Sequence, residues 1–213
     1  MPAMQYWWLW VLGAYVCGAT PFGLWIGLMR GVDIRKAGSG NTGATNAARL
    51  LGVKWGVLCL LLDVAKGATP VVAAGWAMGV LGSADLPPAD AWRWLAVGAA
   101  AVVGHVFSFW LKFKGGKGVA TSLGVLMGFW PILTVPGLAA LATWLLFFLT
   151  FRYVSLASIV AAVGLPLYLL IGTDLRGRPP TDTLPFLAIA GLLALLVVVR
   201  HRTNMVRLWR GTE

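Results

Sequence analysis

The sequence predicts an all-α, polytopic membrane protein that forms a single integral membrane domain over residues 1–213. Of its residues, 59% are apolar and only 11% are charged, whereas a soluble domain carries about 25% charged residues. The mean hydropathy is +0.82, and several apolar runs reach the ~20 residues that a helix needs to cross a bilayer. These three observations exclude a soluble globular enzyme and a disordered chain.

Six apolar runs follow one another along the chain, and one of them is long enough for two helices. They cover residues 6–29, 55–82, 93–111, 119–151, 153–172 and 184–199. The fourth run is long for one span and just long enough for two short ones. Pro131 and Pro136 lie at its middle, where a tight turn between two helices would fall. Splitting this run predicts seven transmembrane helices.

The basic residues orient the predicted helices. Seven spans with the N-terminus outside place thirteen basic residues in cytoplasmic segments, namely Arg30, Arg35, Lys36, Arg49, Lys54, Lys112, Lys114, Lys117, Arg152, Arg200, Arg202, Arg207 and Arg210. Arg93, Arg176 and Arg178 would lie outside. A single helix over residues 119–151 would instead export the arginine-rich C-terminal tail. The positive-inside rule therefore favours seven spans and a cytoplasmic C-terminus.

Composition also limits the partners of the chain. Cys17 and Cys59 both lie inside apolar runs, so we expect neither a disulfide framework nor a zinc site. The basic residues do not form one extended polar domain, which makes nucleic acid a poor explanation for the net charge of +10. The lipid bilayer is the partner that the composition predicts.

The first cytoplasmic loop is rich in glycine and neutral hydrogen-bond donors. Glycines at 38, 40 and 43 permit positive φ and close ligand approach, and successive N–H groups can form a nest for an anion. The neutral donors are Ser39, Asn41, Thr42, Thr45 and Asn46. Arg49 adds a planar guanidinium suited to phosphate. The loop predicts a phosphate cradle, and a flexible glycine linker is the alternative.

Two motifs of soluble proteins overlap this loop, and neither fits its context. Residues 38–43 match G-x-G-x-x-G, but a dinucleotide fold requires a preceding strand, and here a membrane helix precedes the loop. Residues 38–45 match a P-loop pattern except that Ala44 replaces the lysine that contacts phosphates. We therefore interpret the loop without reference to either fold.

The second cytoplasmic loop, residues 112–118, combines three lysines with three glycines. This composition suits a multiply charged oxyanion, and an ordinary basic loop in contact with anionic lipid headgroups is the alternative. His105 precedes the loop on an apolar helix, a position more typical of a hydrogen-bonded packing residue. Asp63 and Lys66, one helical turn apart, are expected to neutralise each other near the inner interface.

Polar residues near the inner ends of the last spans complete the set. Ser155 opens the sixth span, a position where serine often serves as a helix cap or a helix–helix contact. His201 and Asn204 lie one helical turn apart in the basic tail. Such a tail usually binds lipid headgroups, but these two side chains could instead face a ligand.

In combination, these motifs resemble the bacterial acyl-phosphate:glycerol-3-phosphate acyltransferase family of small integral membrane enzymes. The matching segments, in order, are Gly38-Ser-Gly-Asn-Thr-Gly-Ala-Thr-Asn46 with Arg49, Asp63-Val-Ala-Lys66-Gly67, Gly104-His105 with Lys114-Gly-Gly-Lys-Gly118, Arg152-Tyr-Val-Ser155 and His201-Arg-Thr-Asn204. They extend over nearly the whole chain, and the first and third are long and distinctive.

The resemblance implies a seven-helix membrane enzyme that binds both substrates from the cytoplasmic side of the bacterial inner membrane. It implies transfer of a fatty acyl group from acyl phosphate to the 1-hydroxyl of glycerol 3-phosphate. The products would be lysophosphatidic acid and phosphate, in the first step of bacterial phospholipid synthesis. By the same resemblance, neither acyl-carrier protein nor coenzyme A is the direct donor.

The candidate site residues divide into two groups. The expected acyl-phosphate cradle consists of Ser39, Gly40, Gly43, Thr45 and Asn46. The resemblance adds Arg49, Lys117, Ser155, His201 and Asn204. Of these, Arg49 and His201 are the candidates for contact with glycerol 3-phosphate.

The chemistry requires no cofactor or metal, because acyl phosphate is already an activated anhydride. The enzyme must align two substrates and stabilise an oxyanion. The histidine–aspartate dyad of better-known glycerol-phosphate acyltransferases is absent, since Trp110 and Val206 stand five positions after the two histidines. We expect a phosphate oxygen of the donor to act as base, with His201 as the fallback.

A membrane transporter for phosphate or a phosphorylated metabolite is the main alternative function. It too would place basic and glycine-rich residues in a helical bundle. Transporters commonly contain paired repeats whose broken helices meet near the midplane. The sequence shows no convincing internal repeat, and its polar groups cluster at one face.

Overall fold

Helices are the only regular secondary structure in the part of the chain that the structure describes. The structure is a computed structural model and describes residues 5–175 and 180–213, with the side chains of 180–182 excluded. Its helices are α1 (Trp7–Ala19), α2 (Phe22–Met29), α3 (Ala44–Leu51), α4 (Val53–Ala77), α5 (Pro88–Val106), α6 (Val119–Gly128), α7 (Thr134–Phe151), α8 (Val154–Asp174), α9 (Pro180–Arg200) and α10 (Arg202–Trp209). This confirms the all-α prediction. Arg176 and Arg178, which we expected outside the membrane, lie outside the described residues.

Six segments of the described chain are long and apolar enough to cross a membrane. They are Trp7–Met29, Val53–Ala77, Pro88–Leu111, Thr134–Phe151, Val154–Asp174 and Thr183–Arg200. The first contains two helices, because α1 ends before Thr20 and α2 begins after Pro21. Proline has no N–H to continue a helix, so the first apolar run, expected to be continuous, is interrupted at Thr20 and Pro21.

The fourth apolar run is split, as its prolines predicted. The helix α6 ends at Gly128 and α7 begins at Thr134, so that Pro131 lies in the turn and Pro136 in the first turn of α7. Proline is tolerated in the first turn, where N–H groups have no helical acceptor. The ten residues of α6 rise about 15 Å, half of the ~30 Å hydrocarbon core. This helix alone is therefore shorter than a full span.

Backbone contact between α4 and α6 positions the second predicted loop. A Cβ atom on Gly67 would collide with the Thr121 carbonyl, and one on Gly124 with the Val64 carbonyl. Only glycine permits such an approach, as is common between membrane helices. Because α6 begins at Val119, this contact holds the preceding loop beside α4.

An aromatic cluster fixes the middle of the bundle. Trp94 of α5 and Phe129 after α6 are both fully buried, with their ring centroids 4.7 Å apart in an edge-to-face arrangement. The indole N–H of Trp94 donates to the Val71 carbonyl of α4 at 2.8 Å, as buried tryptophan requires. These contacts join α4, α5 and the end of α6 in the interior of the bundle.

Four connections meet at that polar end. They are the glycine-rich loop (residues 30–43) between α2 and α3, the lysine loop (residues 107–118) between α5 and α6, the short connection before α8, and the corner at His201 between α9 and α10. The helix α3 packs on α4, and α10 contacts both α8 and α9. The predicted site residues lie on these connections or on the helix ends beside them, except Arg49, which lies in the last turn of α3.

Candidate anion-binding site

Asn46 organises the glycine-rich loop from inside. Its side chain is 1% exposed. Its Nδ2 donates to the carbonyls of Ile34 (2.9 Å), Asn41 (2.9 Å) and Ala37 (3.3 Å), and its Oδ1 accepts from the Ser39 N–H at 2.9 Å. Both polar atoms of Asn46 are therefore engaged by the loop itself. The sequence had instead predicted that Asn46 belongs to the acyl-phosphate cradle.

The outer face of the same loop offers donors to an anion. Gly40 has φ +69°, a left-handed conformation that suits glycine. The loop leads into α3, where the N–H groups of Ala44 and Thr45 have no helical acceptor and form the positive end of the helix dipole. Ser39, Gly40 and Thr45 are exposed beside this helix end, so the arrangement matches a common anion-binding geometry.

The lysine loop is held to the corner between α9 and α10 by two contacts. The half-buried Lys117 donates from Nζ to Oδ1 of Asn204 at 2.5 Å. Arg200 donates from Nη2 to the carbonyls of both Gly115 and Gly116 at 3.0 Å. The N–H groups of the same two glycines are bound to the end of α5. The backbone before Lys117 is thus fixed on both sides, which directs its ammonium group toward the corner.

The end of the chain completes this arrangement. Asn204 donates from Nδ2 to Glu213 Oε1 at 2.6 Å, and Arg207 donates from Nε to Oε2 at 2.8 Å. Burial alone would raise the pKa of Glu213, but the hydrogen bonds from Asn204 and Arg207 outweigh it and hold the pKa below its usual value. The buried Ser155 hydroxyl contributes to the same lowering. Glu213 therefore fixes the amide that faces Lys117.

The electrostatics of Lys117 join the two predicted clusters. Burial is the main cause that lowers the pKa of Lys117 to about 8, and the nearby charge of Glu213 opposes it. The positive charges of Arg207, Arg200 and Arg49 lower that pKa further. Arg49 belongs to α3, Arg200 to the end of α9 and Arg207 to α10, so three helices contribute positive charge around Lys117.

His201 is a buried, neutral imidazole at the corner. Its side chain is 2% exposed, and its Nδ1 lies 2.7 Å from the Val197 carbonyl. A carbonyl oxygen can only accept, so the proton resides on Nδ1 and Nε2 carries a lone pair. Burial, followed by the charge of Lys117, lowers the pKa of His201 to about 4. The side chain is therefore uncharged at neutral pH.

A separate buried ion pair lies behind the loops. Lys66 Nζ is 2.7 Å from Asp63 Oδ1 and donates to the Thr20 carbonyl at 2.7 Å. This confirms that the two charges neutralise each other, and the contact also holds the break between α1 and α2. His105 is buried with its Nδ1 3.8 Å from Asp63 Oδ1, and a Cβ on Gly116 would collide with its ring. It supports the lysine loop from below.

The structure thus gathers the predicted residues at one end of the bundle. Those at the corner and around Lys117 are Arg49, Lys117, Ser155, His201 and Asn204, while Ser39, Gly40, Gly43 and Thr45 lie on the glycine-rich side. Sequence reasoning missed the contributions of Arg200, Arg207 and Glu213. One signal was available, since Glu213 is the only glutamate in the chain and ends an otherwise basic tail.

The fold and the site define a multi-pass helical membrane protein with an electropositive polar site at one end of its bundle. A family model described as glycerol-3-phosphate acyltransferase matches residues 8–211. The chain belongs to that family.

Curated relatives align with nearly the whole chain. The chain is 43% identical over 204 residues to the glycerol-3-phosphate acyltransferase of Trichlorobacter lovleyi, with 96% of this chain and 94% of the relative covered. It is 41% identical to that of Aquifex aeolicus, with 95% of each chain covered.

Solved structures agree in fold. A crystal structure of PlsY, described as an integral membrane glycerol 3-phosphate acyltransferase in its glycerol 3-phosphate form, has a TM-score of 0.83 at 39% identity. The match covers 97% of this chain and 94% of the PlsY chain. The lysophosphatidic acid form of PlsY has a TM-score of 0.80 at the same identity, with 97% and 93% covered.

Proposed function

We propose that this protein transfers a fatty acyl group from acyl phosphate to the 1-hydroxyl of glycerol 3-phosphate. The products are lysophosphatidic acid and inorganic phosphate, in the first step of bacterial phospholipid synthesis. The observation that carries the proposal is the pair of anion-binding elements at one end of the bundle: the glycine-rich loop that leads into α3, and Lys117, which is held at the corner by Asn204. Two adjacent elements of this kind suit a reaction between two phosphate-bearing substrates.

The similar solved structures support the acceptor and the product. One is described in a glycerol 3-phosphate form and the other in a lysophosphatidic acid form, the substrate and the product of acylation at one hydroxyl. Family membership supports the same acceptor. The identity of the acyl donor rests on the resemblance of the motifs and on the second anion-binding element.

The residues divide between the two substrates. Ser39, Gly40, Gly43 and Thr45, with the first N–H groups of α3, hold the phosphate of the donor, and Asn46 keeps the loop in that shape. Arg49 and His201 contact glycerol 3-phosphate. Lys117, Ser155 and Asn204 complete the polar pocket between them. The acyl chain extends from this pocket between the helices toward the lipid.

The reaction needs positioning and charge more than a strong base. The 1-hydroxyl oxygen attacks the carbonyl carbon of the donor, the new ester bond forms, and the bond from that carbon to the phosphate oxygen breaks. The hydroxyl proton passes to a phosphate oxygen of the donor, so the leaving phosphate carries it away. Lys117 and Arg49 stabilise the developing negative charge. His201, whose pKa is about 4, is the weaker base because an effective base titrates near the working pH.

We further propose seven membrane crossings, with α6 and the turn after it forming the short fourth one. The N-terminus lies outside, and the site faces the cytoplasm at the bacterial inner membrane, because most basic residues are at the polar end. A membrane-impermeant maleimide should label Thr212→Cys only in inverted vesicles and Ala89→Cys only in intact spheroplasts. The opposite labelling pattern would reverse the orientation.

A comparison of donors tests the reaction. Purified protein is supplied with glycerol 3-phosphate and, in separate reactions, palmitoyl phosphate, palmitoyl-coenzyme A or palmitoyl-acyl-carrier protein. We expect lysophosphatidic acid only with palmitoyl phosphate. Product from the thioesters alone would leave the acyltransferase in place and refute the donor. No product from any donor, together with phosphate uptake into proteoliposomes, would favour the transporter.

A further inference from the structure

The short helix α10 has an exposed apolar face that the site does not use. Asn204 on its inner face points to Lys117, whereas Met205, Val206 and Trp209 are 37%, 46% and 90% exposed. These three positions follow the i, i+1, i+4 spacing of one helix face. An exposed cluster of this kind on a helix usually marks a contact surface.

This apolar face continues a stripe along α9. Leu195, Val199, Arg202, Val206 and Trp209 follow one another at spacings of four, three, four and three residues and are all exposed. On α9 such a stripe faces the lipid, since α9 is one of the segments able to cross the membrane. Along the chain, the exposed apolar residues of α10 thus follow the lipid-facing residues of α9 directly.

The length of α9 sets the depth at which α10 begins. Its 21 residues rise about 31 Å, close to the ~30 Å thickness of the hydrocarbon core. The start of α10 at Arg202 thus falls in the headgroup layer. Exposed arginines at 202 and 210 stand before and after the apolar residues along α10, and both arginine and tryptophan are favoured at that depth.

We infer that α10 lies in the headgroup layer of the inner leaflet, with Met205, Val206 and Trp209 inserted and Arg202 and Arg210 on anionic lipid phosphates. The third face of the helix, which includes Thr203 and Arg207, remains toward water and the site. The same eight-residue helix therefore contacts the membrane on one side and supplies Asn204 to the site on the other. The inference does not depend on the identity of the acyl donor.

Spin-label accessibility tests this placement in the intact protein. Cys17 and Cys59 are replaced by alanine, and a nitroxide is attached at Met205→Cys or at Thr203→Cys in nanodiscs that contain phosphatidylglycerol. The two positions lie about 160° apart around the helix, so Thr203 is the matched control. Collisions with oxygen, which dissolves in the bilayer, and with a water-soluble nickel chelate are measured for each label.

We expect the label at position 205 to collide with oxygen and to be shielded from nickel, and the label at position 203 to show the reverse. Equal nickel access at both positions would overturn the inference, because α10 would then extend into water. Shielding of position 205 from both reagents would also overturn it, since a protein surface would cover the face. In phosphatidylcholine nanodiscs, or with Arg202→Gln and Arg210→Gln together, the shielding from nickel should decrease. Unchanged shielding would refute the part assigned to charge.

Discussion

The titration of the half-buried Lys117 predicts how the activity of the enzyme falls at alkaline pH. Burial lowers its pKa to about 8, and the proposal requires its ammonium form to stabilise the negative charge that develops during the transfer. The charged form is present below that pKa and is lost as the pH rises through it. Activity should therefore fall on the alkaline limb of the pH–rate profile. The ionisation of glycerol 3-phosphate contributes little to this limb, because a phosphate monoester has its second pKa near 6 and is already a dianion.

The size of the effect follows from the titration of one group. At about pH 7 roughly nine-tenths of Lys117 is protonated, and at about pH 9 only roughly a tenth is, so kcat/KM for glycerol 3-phosphate should fall about tenfold. When palmitoyl phosphate is also kept below saturation, the rate reports the free enzyme, which is the state that the structure describes. Initial rates of lysophosphatidic acid formation at low glycerol 3-phosphate measure kcat/KM, corrected for spontaneous hydrolysis of the donor.

Two variants assign the limb to this lysine. Lys117→Arg should remove the limb up to about pH 10, because arginine stays charged, although the plateau will be lower. The exposed Lys112→Arg on the same loop is the matched control and should keep the wild-type profile. Glu213→Gln should move the limb to lower pH, because the charge of Glu213 raises the pKa of Lys117. A limb that persists in Lys117→Arg would refute the reasoning.

Three further predictions concern the contacts that support the site. Arg200→Lys keeps the charge but loses the paired donation to two glycine carbonyls, worth about 1.5–3 kcal/mol, so kcat/KM for glycerol 3-phosphate should fall about tenfold or more. Asp63→Asn leaves Lys66 charged and unpaired in the membrane and should reduce the free energy of unfolding by about 3–5 kcal/mol. The double variant with Lys66→Met should recover most of this loss, as measured by thermal unfolding. Gly124→Ala forces a Cβ against a backbone carbonyl and should cost about 1–3 kcal/mol, while Gly191→Ala, with open space around it, should leave thermal stability unchanged.

The parts of the fold that the sequence predicted are those set by composition and by single residues. The split of the fourth run followed from its length, from Pro131 and Pro136 at its middle, and from the basic C-terminal tail, which a single helix would have exported. Pro21 carried the same signal inside the first run, but the apolar residues on both sides masked it. The buried pair of Asp63 and Lys66 followed from their spacing of one turn.

The parts of the site that the sequence left open depend on tertiary contacts. Asn46 stands among glycines and hydroxyls and was expected to bind ligand. In the structure, both polar atoms of its side chain form hydrogen bonds with the backbone of the surrounding loop. Arg200 and Glu213 appeared as topology and tail charges, because nothing in a sequence shows that one holds the lysine loop and the other the amide of Asn204. Their roles arise from how α9, α10 and the lysine loop meet.

The central claim is that one polar end of the bundle joins both phosphate-bearing substrates in a single transfer. Its most direct test supplies purified protein with palmitoyl phosphate and measures phosphate and lysophosphatidic acid together, with and without glycerol 3-phosphate. The account predicts that both products form in equal amounts, only when glycerol 3-phosphate is present, and that Arg49→Ala and Lys117→Ala lose most of this activity while still inserting into membranes. Phosphate release without glycerol 3-phosphate, or full activity in both variants, would contradict it.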